Sequence, residues 1–230
     1  MNSSEFDKFA EEYAATLKGS IGASGEGPEY FAEYKVRDVL GQVEKAGLSV
    51  RRVLDFGCGI GGSVPFFRRW FPAAQLTGVD VSIKSVEIAR SRFPEAADYH
   101  VFNGQLLPFA DASFDIAFAA CVFHHIPADS HVGLLSEIRR VLVPGGMFFI
   151  FEHNPLNPMT VRVVNRCPFD ENAVLMTAAQ LRQRLIEAQF SSVNTSYRVF
   201  FPHFLRALRR LESALTWCPL GAQYYLSARK

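Results

Sequence analysis

One short segment limits what this chain can fold into more than any other. In Val53-Leu54-Asp55-Phe56-Gly57-Cys58-Gly59-Ile60-Gly61-Gly62 an apolar run leads straight into glycines at alternating positions, and a helical pattern follows. Glycine lets the backbone turn sharply and approach a ligand closely, and the first turn of a helix offers it unpaired N–H groups. Asp80 strengthens the reading. It ends the next apolar run, Thr77-Gly78-Val79-Asp80, about twenty residues past the loop, where a carboxylate can accept hydrogen bonds from both hydroxyls of a ribose. Capping the following helix is the alternative use of that aspartate.

The rest of the chain repeats the strand–helix alternation. Strands are expected over 49–56, 75–80, 98–102, 114–121 and 147–152, with helices over 61–70, 83–92 and 130–142 between them. Pro65 must then sit in the first turn of its helix, and Ser82 is the expected N-cap of the next. Strands joined by helices of this length need crossover connections, so the sheet should be parallel, doubly wound and covered on both faces, an α/β fold. The last third departs from this rule, with a helix over 177–188, a strand over 192–200, an amphipathic helix over 202–215 and a closing strand over 223–228. The chain reads as one domain, 1–230. Residues 1–46 form a helical N-terminal lid, 47–200 the ligand-binding core, and 201–221 a helical insertion before the last strand. Within the lid, Phe6, Phe9 and Tyr13 share one helical face, and the glycine-rich stretch 19–28 is its hinge.

Composition removes several classes. A formal net charge of +1 lacks the basic excess of a protein that binds nucleic acid through phosphates. No apolar run reaches the length of a membrane span, and the N-terminus has no signal-peptide pattern. The four cysteines are scattered, which suggests reduced thiols and a cytoplasmic location. His124 and His125 are adjacent, but neighbouring side chains diverge on a helix or strand, so no metal site is expected there.

These residues do not separate a dinucleotide from S-adenosylmethionine (SAM). Two details favour SAM. Asp55 precedes the glycines, where a carboxylate would repel a pyrophosphate but can help hold an ammonium group. The glycines also read G-x-G-x-G rather than the G-x-G-x-x-G suited to pyrophosphate. The sequence resembles the class I SAM-dependent methyltransferases, in particular the small-molecule branch that includes the ubiquinone/menaquinone-type enzymes. VLDFGCGIGG resembles the first motif and LTGVDVS the ribose-binding turn. LLPFADASFDIAFAACVFHHIP resembles the stretch through the fourth strand, and LSEIRRVLVPGGMFFIFE the helix and strand that follow.

The resemblance implies a Rossmann-like sheet of order 3-2-1-4-5-7-6 with strand 7 antiparallel. It implies a cofactor site in which Gly57, Cys58 and Gly59 line the methionine and ribose, Asp80 holds the ribose and Val81 lies beside the adenine. Asn103-Gly104 stands where the family often has an aspartate; the amide can accept from the adenine amino group. Asp55, Cys121 and, from the lid, Tyr13 complete the expected cofactor contacts, with Tyr30 and Lys35 also within reach of that side.

Ligands of open α/β sheets bind beyond the carboxyl ends of the strands. His125 leaves the fourth strand there, and Glu152 and His153 leave the fifth, so these are the candidate bases or substrate contacts, His125 first. The expected activity is methyl transfer to a small molecule, O- before N-methylation, with sugars and lipid-linked compounds among the acceptors. A non-catalytic SAM-binding regulatory protein and a nicotinamide-dependent oxidoreductase are the alternatives. The 202–215 stretch, apolar at Phe204, Leu208, Leu211 and Leu215 and basic at Arg206, Arg209 and Arg210, suits either a cover on the acceptor pocket or peripheral contact with a membrane.

Overall fold

A computed structural model describes residues 25–230; the Phe6/Phe9/Tyr13 segment lies outside them. In chain order the elements are α1 (Pro28–Ala46), β1 (Arg52–Phe56), α2 (Val64–Trp70), β2 (Gln75–Asp80), α3 (Ile83–Arg92), β3 (Asp98–Val101) and β4 (Phe114–Ala120). Then follow α4 (His131–Val141), β5 (Leu142–His153), α5 (Pro158–Val164), α6 (Ala178–Glu187), β6 (Ser191–Arg198) and β7 (Gln223–Arg229).

The seven strands form one sheet of order β3-β2-β1-β4-β5-β7-β6. β1 pairs in parallel with β2 and β4, while β7 runs antiparallel to both β5 and β6. The central strands are mostly apolar because both faces are covered, with Asp55 and Asp115 as buried exceptions. Side-chain alternation splits them between two cores. Leu54, Phe56, Phe148 and Ile150 point to one layer, and Val53, Phe149 and Phe151 to the other. Each fully buried Phe or Ile contributes roughly 1.5–3 kcal/mol relative to exposure, so a one-residue register slip in β5 would reverse the whole set.

Local signals act where the sequence places them. Pro65 sits in the first turn of α2, and Ser82 caps α3 by accepting from the Ser85 N–H at 3.0 Å. Thr177 and Gln180 close a reciprocal capping box on α6. Asp115, buried at the start of β4, accepts from the backbone N–H groups of Arg51 and Arg52 at 2.8 Å each, which fixes where β1 begins.

Three expectations change. Part of the expected lid is not a lid: α1 packs Tyr34, Val36, Val39 and Val43 into one of the two sheet cores. Helix α5, capped by Asn157, occupies a stretch for which the sequence suggested nothing. The amphipathic stretch is a 3-10 segment, His203–Ala214, with a kink at Leu205. Two of its polar side chains turn inward. Glu212 is buried and accepts from the N–H groups of Phe200 and Phe201, and Arg209 pairs with Glu26. Phe204, Leu208 and Leu211 are exposed, so they do not cover a pocket.

Candidate active site

The carboxyl ends of β1, β4 and β5, the inner edge of α1 and the start of β7 surround a cavity of about 690 Å³, within the range of small-molecule sites. At one end lies the glycine loop. The N–H groups of Gly57 and Cys58 donate to the Val79 carbonyl at 2.8 and 3.1 Å, which turns the chain sharply after β1. Gly57 has φ +73°, and a Cβ there would lie 2.5 Å from the Val122 side chain. Gly59 has φ +50°, and a Cβ there would meet nothing within 4 Å. Since Gly59 lines the cavity, its backbone is open to a ligand on that side. This bare, ligand-facing turn fits the methionine and ribose of SAM.

Asp80 ends β2. Its carboxylate accepts from the Gly59 N–H and the Ser82 N–H, each at 2.9 Å, so it ties the glycine loop to the start of α3. Asp55 is buried beside the loop and accepts from the Ser63 hydroxyl. Burial pushes its pKa up to about 7, the Ser63 hydrogen bond opposing and the Asp80 charge adding to the rise. Burial likewise pushes the Cys58 thiol up. Asp55, Gly57, Cys58 and Gly59 all line the cavity; Asp80, Val81, Asn103 and Gly104 do not. Val81 is buried in the apolar cluster of Phe56 and Phe102. The Asn103 side-chain oxygen accepts from the N–H groups of Gln105 and Leu106 at 2.9 Å. Both lone pairs of that oxygen serve the turn, and only the amide's donor side is left for an adenine.

The other end is built from side chains. β4 terminates at Cys121, a non-glycine residue with φ +59°, a conformation that costs about 1–3 kcal/mol and persists only where the surroundings impose it. The turn brings the Cys121 thiol to 3.3 Å from the Lys35 ammonium and 3.9 Å from the Gln223 amide. Burial raises the thiol's pKa, but Lys35 and His153 outweigh it and hold the group down at about 6. The Tyr34 hydroxyl donates to the Gln223 side-chain oxygen, which anchors β7 to α1. Tyr30 does not line the cavity: it stacks under Arg209 and borders a smaller cleft.

The 3-10 turn Phe123–His125 follows β4. Glu152 is buried behind it, accepting from the N–H groups of Val122 and Phe123 at 3.1 and 2.8 Å and lying 2.5 Å from His124 Nδ1. Its carboxylate is spent on holding the turn and does not reach the cavity. His125 and His153 do line it. The rings of His124 and His125 converge, with centroids 4.1 Å apart. Nε2 of each faces the same oxygen of Asp170, at 3.3 and 3.5 Å. The expected divergence fails because a carboxylate from a distant loop reaches both rings. His124 loses basicity to burial but gains more from the Glu152 charge and hydrogen bond and from the nearby Asp170 carboxylate, so its pKa rises to about 10. Burial and then the positive His124 push His125 down to about 4.

Lys35 was within view from the sequence, but Ser63, Asp170 and Gln223 were not. Ser63 is a polar residue just past the glycines, Gln223 only the first residue of a strand, and Asp170 lies where no motif marks it. The remaining walls are mostly apolar, from Phe31, Phe66, Phe93, Phe169 and Phe200 among others, with Glu29, Arg92, Asn157 and Thr160 as polar members.

Residues 54–150 match the family described as a methyltransferase domain. The chain is 30% identical over 152 residues to trans-aconitate 2-methyltransferase of Rhodopseudomonas palustris, covering 65% of this chain and 57% of that protein. It is 34% identical over 115 residues to a ubiquinone/menaquinone biosynthesis C-methyltransferase of Desulfotalea psychrophila, 49% and 46% of the two chains. A fatty-acid O-methyltransferase of Mycolicibacterium smegmatis is 33% identical over 112 residues, 48% and 40%. The chain thus spans about half the length of these relatives. A solved SAM-dependent methyltransferase of Thermotoga maritima superposes with TM-score 0.68 at 20% identity, covering 99% of both chains.

Proposed function

In its ligand-binding core this chain belongs to the class I SAM-dependent methyltransferases, and from that premise we propose that it methylates an oxygen atom of a small acceptor with a largely apolar body. SAM supplies an activated methyl group on a sulfonium, and what remains for the protein is to hold two reactants in line and to take a proton. The glycine loop and Asp80 hold the nucleoside side, and Asp55 faces the amino-acid end. The observation that carries the proposal is the cavity beyond them, which has phenylalanine walls and Cys121, His125 and His153 at its end.

His153 is the proton acceptor in this reading. The Gln223 amide nitrogen lies 3.4 Å from His153 Nδ1, and the ring is near enough to Cys121 to help hold its thiol down. His125, held down at about 4, is a poor base near neutral pH and acts as an acceptor contact. Apolar walls favour a hydrocarbon-bodied acceptor over a sugar. The exposed Phe204, Leu208 and Leu211, with Trp217 at 75% and Leu220 at 63% exposure, favour delivery from a lipid surface. No described helix is long and apolar enough to cross a membrane.

The test is incubation with methyl-labelled SAM and a panel of fatty acids, phenols, polyprenyl-linked compounds and amines. The expected products are methyl esters or ethers, with one S-adenosylhomocysteine formed per methyl transferred. Methylated amines alone would overturn the oxygen assignment. SAM binding without any transfer would instead indicate a regulatory SAM-binding protein.

A further inference from the structure

The proposed reaction uses His125 only as an acceptor contact and gives no role to His124 or Asp170, with which it forms a group. Nε2 of each histidine lies 3.3 or 3.5 Å from one Asp170 oxygen, and the candidate ligand atoms all fall within 4.8 Å of one another. Donors held about 2.0–2.2 Å from a tetrahedral ion are separated by roughly 3.3 Å. A closed charge-assisted N–H···O bond is shorter, at about 2.7–2.9 Å. The spacing is that of a ligand set. Glu152 lies 2.5 Å from His124 Nδ1, the arrangement in which a carboxylate behind a histidine fixes the nitrogen that faces a metal. The Val174 N–H donates to the His124 carbonyl at 2.8 Å and pins the Asp170 segment against the turn.

We propose that His124, His125 and Asp170 bind one divalent first-row transition ion. Two imidazoles and a carboxylate are the ligand chemistry of Zn²⁺ and its neighbours. Three protein ligands leave a coordination position, and all three residues line the cavity, so that position opens toward the acceptor. His124 binds through Nε2 as a neutral imidazole whose Nδ1 proton is held on the Glu152 side. Only the last step rests on the methyl-transfer reading: an acceptor oxygen would occupy the open position. The metal site itself does not depend on it.

The test uses the full-length protein stripped by chelator and titrated with Zn²⁺ by calorimetry and with Co²⁺ by visible d–d absorption. One ion per chain is expected, at micromolar affinity or tighter. Asp170→Asn and His125→Gln should weaken it at least about 100-fold, and Glu152→Gln by about 10–100-fold. Melting curves of the metal-free variants establish that they fold. His125→Ala is the second variant if His125→Gln does not. No stoichiometric ion in the wild type, or unchanged affinity in folded Asp170→Asn and His125 variants, would overturn the site. Metal binding without methyl transfer would overturn the reaction and leave the site standing. Transfer at full rate by a protein that binds no metal would do the reverse.

Discussion

The two ends of the cavity are built by opposite means. At the cofactor end everything comes from one continuous stretch, 53–82, and most of its hydrogen bonds involve backbone: Gly57 and Cys58 to Val79, Gly59 and Ser82 to Asp80. At the acceptor end the groups are side chains from α1, β4, β5, the 168–170 loop and β7: Lys35, Cys121, His153, Asp170 and Gln223. A backbone cradle demands particular residues, because only glycine fits its torsions and close approaches. A side-chain cluster can exchange its members one at a time, so acceptor preference can change while the cradle stays fixed.

The largest expected effect attacks the cradle. Gly57→Val adds a side chain at φ +73° whose Cβ would lie 2.5 Å from Val122. SAM binding by calorimetry should fall below detection, with a melting curve to separate this from unfolding. Unchanged affinity would mean that the cofactor does not approach this turn. His153→Ala should strike the other end alone, lowering kcat by about 10² to 10⁴ at saturating SAM while SAM affinity holds. A variant at full turnover would leave alignment as the whole mechanism.

Asp80→Ala should weaken SAM about 100-fold, since two hydrogen bonds to a carboxylate at the low end come to roughly 3 kcal/mol. Wild-type affinity there would put the ribose elsewhere.

A milder effect comes from pH. Asp55 titrates near 7 in the folded protein against 3.8 when unperturbed. SAM affinity, helped by an ionised Asp55 facing the ammonium, should rise as pH rises through about 7, by on the order of tenfold, and Asp55→Asn should flatten the profile. Stability of the ligand-free protein has the opposite sign. A raised folded pKa contributes stability that is fully present below 3.8 and is lost as pH rises through about 7. Asp55→Asn should therefore raise the Tm above pH 7. A Tm that falls instead would show that the charged form is the better accommodated one.

The smallest effect changes no binding constant. Alkylation of Cys121 by iodoacetamide should become half-maximal near pH 6 rather than 9, and Lys35→Met should move that midpoint up. A midpoint near 9 in the wild type would remove the thiolate.

The sequence by itself determined the sheet, its order through resemblance, and the glycine turn that the proposed cofactor end is built on. Alternation of apolar runs with helical stretches is a local pattern, and Gly57, Gly59 and Asp80 are forced by backbone geometry within one strand–turn–helix–strand unit. It did not determine the acceptor end. The adjacency of His124 and His125 suggested rings pointing apart, and only folding brought Asp170 to both of them. Glu152 stood among the candidate catalytic residues, yet its depth behind the turn made it a support for His124. The apolar face of 202–215 suited either a cover on the pocket or contact with a membrane; Glu212 and Arg209 found partners inward, on the Phe200 and Phe201 N–H groups and on Glu26, and the apolar side turned outward. The reason is common to all three. A buried charged group must be placed where a partner waits for it, and those partners lie too far along the chain for spacing to reveal them.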